Sequence, residues 1–149
     1  MKLILGSDHG GFALKEKMKL ALKNKGHVIE DMGAMVLNTT DDYPDFVVSV
    51  ARAVSEDPEV SRGIVFGGSG QGEAIFANKF KHVRAGLFYG GPMEIVELSR
   101  THNNSNILSL GARFITEAEA HAAIDLWLDT KFDGGRHENR LKKIDEYSK

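Results

Sequence analysis

Short apolar runs punctuate the chain, each followed by glycine or a polar turn and then by apolar positions at helical spacing. That alternation predicts βαβ units around a parallel sheet. Leu3 to Leu5 reads as the first strand, and Leu14, Met18, Ala21 and Leu22 then mark one buried helix face that Gly26 ends. His27 to Met32 is a second strand. Pro44 suits the first turn of a helix turning Phe46, Val47, Val50, Ala51 and Val54 inward, and Gly63 to Phe66 is the third strand. Ala85 to Phe88 and Asn106 to Leu110 complete five strands, with a helix from Pro92 to Arg100 between them. Thr116 and Glu119 form a capping box before Ala120, Ala123, Ile124, Trp127 and Leu128. The charged tail, Asp133 to Lys149, predicts a last helix that reaches away from the sheet, anchored by Leu141 and Ile144 alone.

The expected architecture is therefore a doubly wound five-stranded parallel sheet in three α/β/α layers, Rossmann-like, with a C-terminal helical tail. No repeat or long linker interrupts it, so residues 1–149 read as a single domain. At 149 residues the chain can bury a core without disulfides or structural metal, and it has no cysteine. Thiolate nucleophiles and Cys-zinc sites are thereby excluded. Lys+Arg 19 against Asp+Glu 21 gives a formal charge of −2, which lacks the excess expected of a nucleic-acid binder. The amino terminus turns polar after Leu5, without the apolar stretch of a secretion signal or membrane span, and this reads as cytoplasmic.

Such sheets bind ligands beyond the carboxyl ends of their strands. After the third strand comes Gly67-Gly68-Ser69-Gly70-Gln71-Gly72, followed by Glu73 on a helical stretch. Glycines here leave backbone N–H groups open to an anion or a developing oxyanion at a helix start. The spacing is not G-x-G-x-x-G, and no Gly-Lys-Ser/Thr follows, so neither a dinucleotide fingerprint nor a Walker loop is present. Glu73 reads either as a general base, raised in pKa by burial and neighbouring charge, or as a first-turn glutamate on the helix dipole. Asp8 and His9 stand beside Gly10-Gly11 after the first strand, where Asp8 can be a ligand or a helix cap. His102-Asn103 precedes the fifth strand and Arg113 follows it. Arg136 and Arg140, spaced i, i+4, form a phosphate clamp if an anion site lies within reach, and otherwise surface charge. Asp41-Asp42-Tyr43-Pro44-Asp45 reads as a turn and cap, and no histidine spacing supports a metal site.

Taken together, Gly6-Ser-Asp-His-Gly-Gly11, Asp42-Tyr-Pro-Asp45, Gly68-Ser-Gly-Gln-Gly72, Ala77-Asn-Lys79, Thr101-His-Asn103, Leu110-Gly-Ala-Arg113 and Phe132-Asp-Gly-Gly-Arg-His137 resemble the ribose-5-phosphate isomerase B family, which includes the allose and galactose 6-phosphate isomerases. The resemblance implies reversible aldose–ketose isomerisation through an enediolate, with no metal or organic cofactor, at a site shared between subunits of a homodimer or a dimer of dimers. It implies that Asp8 holds sugar oxygens, that His9, Arg113, Arg136 and Arg140 bind phosphate, that His102 opens the sugar ring and that Asn103 positions the open chain. The amides of Gly68, Gly70 and Gly72 would hold the enediolate oxygen.

Many members carry a cysteine base immediately before the glycine loop, where this chain has Gly67. A second branch uses a glutamate at the start of the following helix, which is the position of Glu73, so the base moves there with Ser69 as a supporting hydrogen-bond partner. Tyr89-Gly90-Gly91 replaces the His-Asp pair common after the fourth strand. The expected reaction is interconversion of ribose 5-phosphate and ribulose 5-phosphate. Its rivals are a six-carbon sugar phosphate isomerase and a non-catalytic sugar-phosphate sensor.

Overall fold

The computed structural model describes residues 1–148. Its order is β1 (Lys2–Ser7), α1 (Phe12–Asn24), β2 (Val28–Asp31), α2 (Pro44–Glu56), β3 (Arg62–Gly67), α3 (Gln71–Ala77), β4 (Ala85–Phe88), α4 (Glu94–Thr101), β5 (Ile107–Gly111), α5 (Glu117–Asp129) and α6 (Arg136–Tyr147). All strand pairs are parallel, in the order β2-β1-β3-β5-β4. The alternation of the strands decides the layers, because successive side chains point to opposite faces. Leu3, Leu5, Ile64, Phe66, Leu108 and Leu110 face α1, α4 and α5, where Met18, Val96, Ile124 and Trp127 are buried. Ile4, Val65 and Ile107 face α2 and α3, meeting Val47, Val50, Val54 and Ala77. Each face is packed with buried apolar side chains, and the three-layer expectation holds.

The differences from the sequence reading are local. Strand β2 is confined to Val28–Asp31 and partly exposed because it is the sheet's edge. Helix α4 begins at Glu94, two residues later than its proline suggests, and α3 begins at Gln71, ahead of Glu73. A polar feature inside α1 escaped the apolar pattern. Lys15 is fully buried, with its Nζ 2.8 and 2.9 Å from the two oxygens of Asp31, and Lys19 adds a third bond at 2.7 Å. Asp31 also accepts from the Gly33 N–H at 3.0 Å, while Ser7 and Gly33–Ala34 exchange two backbone bonds of 2.7 Å. The segment after β2 is thus pinned along the carboxyl end of β1, which directs Asp41 toward the β1 loop.

The tail does not stand clear of the body, as its composition suggested. Asp133 N–H bonds the Thr101 carbonyl at 3.0 Å, and the buried ring of His137 stacks on His102, so α6 starts against the end of α4. Its anchor is an imidazole rather than Leu141 and Ile144, which only line a cleft of about 340 Å³ beside Phe80 and Val83. Among the described residues, no helix is long and apolar enough to cross a membrane.

Candidate active site

The chain turns one way from β1 to β2 and the other way from β1 to β3, so a crevice opens above β1 and β3. Two glycine loops meet there. A Cβ on Gly10 would stand 2.9 Å from the Gly68 N, which places the β1 and β3 loops in direct contact. Gly70 starts α3 with a left-handed φ of 74°, tolerable only without a side chain, and its carbonyl accepts from Ser109 Oγ at 2.7 Å. Ser69 Oγ accepts from the Gln71 N–H at 3.3 Å, and Arg113, held by its N–H on the Gly68 carbonyl at 3.0 Å, lays its guanidinium beside Gly68.

Glu73 lies at the centre of this arrangement and is only 4% exposed. A Cβ built on Gly67 would overlap the Glu73 carboxyl group, so the carboxyl fills the space that a side chain at 67 would need. The glycine at position 67 is therefore what seats this glutamate. Burial pushes its pKa up and the Asp8 carboxylate adds to that rise, against an opposing backbone hydrogen bond. A Gly67→Ala substitution should displace the carboxyl and lower turnover by up to about 10²-fold, the cost typical of ångström-scale misplacement. Steady-state kinetics beside an unchanged circular dichroism spectrum would check this.

Around Glu73, Asp8 braces the β1 loop: its Oδ1 accepts from the N–H groups of Gly10 and Gly11 at 2.9 and 3.3 Å, and its charge acts on Glu73. The residue capping α1 is Gly11, with no side-chain cap bond. His9 is gripped by Asp41, whose Oδ1 lies 2.7 Å from Nδ1 and 2.9 Å from the His9 N–H. That hydrogen bond raises the His9 pKa, with the charges of Asp8 and Asp41 assisting against burial. Tyr43 closes the floor: its ring and hydroxyl sit 2.6 to 2.8 Å from where a Gly72 Cβ would be. The sequence reading missed Asp41 and Tyr43 because a turn of acidic and aromatic residues is unremarkable until the loop after β2 is known to fold back over β1.

The remaining candidates lie elsewhere. Helix α4 returns from the carboxyl edge of β4 to the amino edge of β5, so His102 and Asn103 sit below the sheet, next to the start of Ile107. Arg136 and Arg140 follow them there, since α5 descends to the same edge and Arg140 lies 3.3 Å from His137 Nδ1. The rings of His102 and His137 stack at 4.3 Å and 16°. Desolvation, then the charges of His102, Arg136 and Arg140, lowers the pKa of His137. Two clusters of candidate residues result, separated within one chain by the sheet's height, on the order of 15 Å. One holds Asp8, His9, the glycine loop, Glu73 and Arg113, and the other holds His102, Asn103, Arg136 and Arg140.

Folding also collects two donor triads within 4.8 Å, Asp8–His9–Asp41 and His102–Asp133–His137. Neither fits a metal well. In the first, Nδ1 and Oδ1 already bond each other, and in the second the near-parallel rings keep their in-plane lone pairs side by side while Arg140 approaches His137.

Comparison with known proteins agrees with this architecture. The profile of the Ribose/Galactose Isomerase family matches residues 3–144. Ribose-5-phosphate isomerase B of Mycolicibacterium paratuberculosis is 40% identical over 150 aligned positions, covering 100% of this chain and 92% of that protein. The crystal structure of ribose-5-phosphate isomerase B from Mycoplasma genitalium with bound ribulose-5-phosphate superposes with a TM-score of 0.94 at 37% identity, covering 98% of this chain and 95% of that one. The enzyme of the same name from Clostridium thermocellum gives 0.91 at 42% identity, covering 98% and 96%. With its three-layer sheet, its paired glycine loops and these full-length matches, the chain belongs to the ribose/galactose isomerase family.

Proposed function

We propose that this isomerase interconverts ribose 5-phosphate and ribulose 5-phosphate, with Glu73 as the base. The observation that carries the assignment of the base is the seating of its carboxyl against Gly67, buried and raised in pKa at the mouth of the glycine loop. In the open-chain aldose, Glu73 removes the proton from carbon 2. The electrons of that bond form the carbon 1–carbon 2 double bond, and the carbonyl oxygen on carbon 1 becomes negative. Amides of the Gly68, Gly70 and Gly72 loop stabilise that charge, where one donor contributes about 2.7–4 kcal/mol. Glu73 then returns the proton to carbon 1, and the hydroxyl proton on oxygen 2 passes to oxygen 1, leaving the ketone at carbon 2. Ser69 braces the loop and Asp8 holds sugar hydroxyls.

Ring opening and most of the phosphate grip fall to the second cluster. His102 exchanges a proton with the ring oxygen or anomeric hydroxyl, work suited to an imidazole near neutral pH, and Asn103 steadies the extended chain. His9 and Arg113 meet the phosphate from one side, Arg136 and Arg140 from the other. Because the two clusters lie at opposite sheet edges, a complete site requires a second copy of the chain, with a homodimer as the minimum assembly. Two equivalent sites follow from a two-fold interface.

The test is a proton magnetic resonance assay of the purified protein with ribose 5-phosphate in deuterated water. Conversion to ribulose 5-phosphate with exchange at carbon 2 is expected, and faster turnover of allose or galactose 6-phosphate, or binding with neither conversion nor exchange, would overturn the reading. In the same assay, Arg136→Ala combined with Arg140→Ala should raise KM for ribose 5-phosphate by about 10²–10⁴-fold while kcat falls less, given roughly 1.5–3 kcal/mol for each of the two charge-assisted contacts. Unphosphorylated ribose should be nearly indifferent. Equal proportional losses on both sugars would show that the two arginines hold no phosphate.

A further inference from the structure

The role of His9 in phosphate binding depends on a neighbour that the reaction scheme leaves unused. Asp41 sits 32 residues away in sequence, on the loop pinned by the Lys15–Asp31 pair, and its side chain is only 8% exposed. A single oxygen, Oδ1, takes both the ring Nδ1 at 2.7 Å and the backbone N–H of His9 at 2.9 Å. Oδ2 is buried without a hydrogen-bond partner among the described residues. The carboxylate thus spends its side-chain hydrogen bonding on one residue, fixing it at two points. With Nδ1 committed to donation, the ring has one remaining nitrogen, Nε2, and the partly exposed ring can offer it to the crevice.

We propose that Asp41 is a positioning residue for the phosphate grip, holding the His9 imidazole by Nδ1 in the doubly protonated form that presents Nε2–H to the sugar phosphate. This rests on the assignment of His9 to the phosphate. A neutral imidazole held this way spends its one N–H on Asp41 and turns the Nε2 lone pair toward the phosphate, whereas the protonated ring supplies Nε2–H as well and makes a charge-assisted bond, roughly twice as strong as a neutral one. The direction of the His9 shift agrees: the Asp41 hydrogen bond raises its pKa above 6.5, as do the charges of Asp8 and Asp41, while burial opposes. The other charged groups facing this loop are Arg113, beside Gly68, and Glu73, which couples to Asp8. Both remain in place when Asp41 is changed, so a ratio of variant to wild type isolates the Asp41 contribution.

The discriminating variant is Asp41→Asn, which keeps the shape and can still accept one hydrogen bond but carries no charge. Imidazole resonances would be followed against pH, with His9 assigned through its loss in His9→Asn, with and without inorganic phosphate. His9 should titrate above 6.5 in the wild type and fall toward that value in Asp41→Asn. In kinetics, KM for ribose 5-phosphate should rise about tenfold near pH 8 with kcat little changed, and the ratio should shrink below about pH 6, where the ring is protonated in both proteins. In a His9→Asn background, Asp41→Asn should add nothing. An unmoved His9 titration, a KM ratio that ignores pH, or an equal loss with His9 absent would each reduce Asp41 to a loop brace and overturn the proposal. The titration with phosphate needs no turnover, so it stands apart from the choice of sugar.

Discussion

Glu73→Gln should lower turnover of ribose 5-phosphate by about 10²–10⁴-fold, the range associated with loss of a general base, while binding of the phosphorylated sugar persists. The substitution keeps the size and polarity of a side chain whose slot is cut to fit by Gly67, so the loop should not rearrange. It removes only the ability to take a proton. Retention of more than roughly a tenth of wild-type turnover would place the base elsewhere.

The same variant carries a stability signature of opposite sign. Burial and the Asp8 carboxylate raise the pKa of Glu73 above its ordinary 4.5, so the folded protein holds that proton more tightly than the unfolded chain does. Between 4.5 and the raised value the native state binds more protons, and stability falls as pH rises through that window. Above it, the wild type bears the whole cost of an ionised buried carboxylate, whereas the glutamine does not. Glu73→Gln should therefore melt higher than the wild type at pH 8, with the advantage fading toward pH 4, as thermal unfolding at the two pH values would show. Such an exchange of stability for activity is expected where a catalytic group is desolvated.

Much of the fold was legible in the chain because β1, β3 and β5 are short, buried apolar runs and glycine or capped turns separate the elements. Thr116 and Glu119 do form the reciprocal cap, with bonds of 3.1 and 2.7 Å. What escaped were features that depend on distant segments. Lys15 reads as a solvent-facing charge within its helix, and only the approach of Asp31 from β2 makes it a core residue. Asp41 was a turn residue until its loop crossed His9, and His137 was one more charge-tail residue until α6 met α4. The glycine loop and Glu73 were visible locally, since loop and helix are contiguous. That Gly67 is the seat of Glu73 was not, because the contact spans a strand end and a helix turn.

The second large effect concerns the proposed division of the site between two copies. Glu73 and His102 lie at opposite edges of one sheet, so if both act on one sugar, each site takes one of them from each protomer. Glu73→Gln and His102→Ala homodimers should each have little aldose turnover, because every site lacks either the base or the ring-opening group. When the two variants are unfolded together and refolded at equal concentration, half of the dimers become mixed. Each mixed dimer concentrates both lesions in one site and leaves the other intact, so activity should recover to about one quarter of wild type per chain under two-fold symmetry. That recovery from two nearly inactive proteins is the result expected of a shared site with Glu73 as its base. A refolded mixture no more active than the mean of its two parents would contradict it.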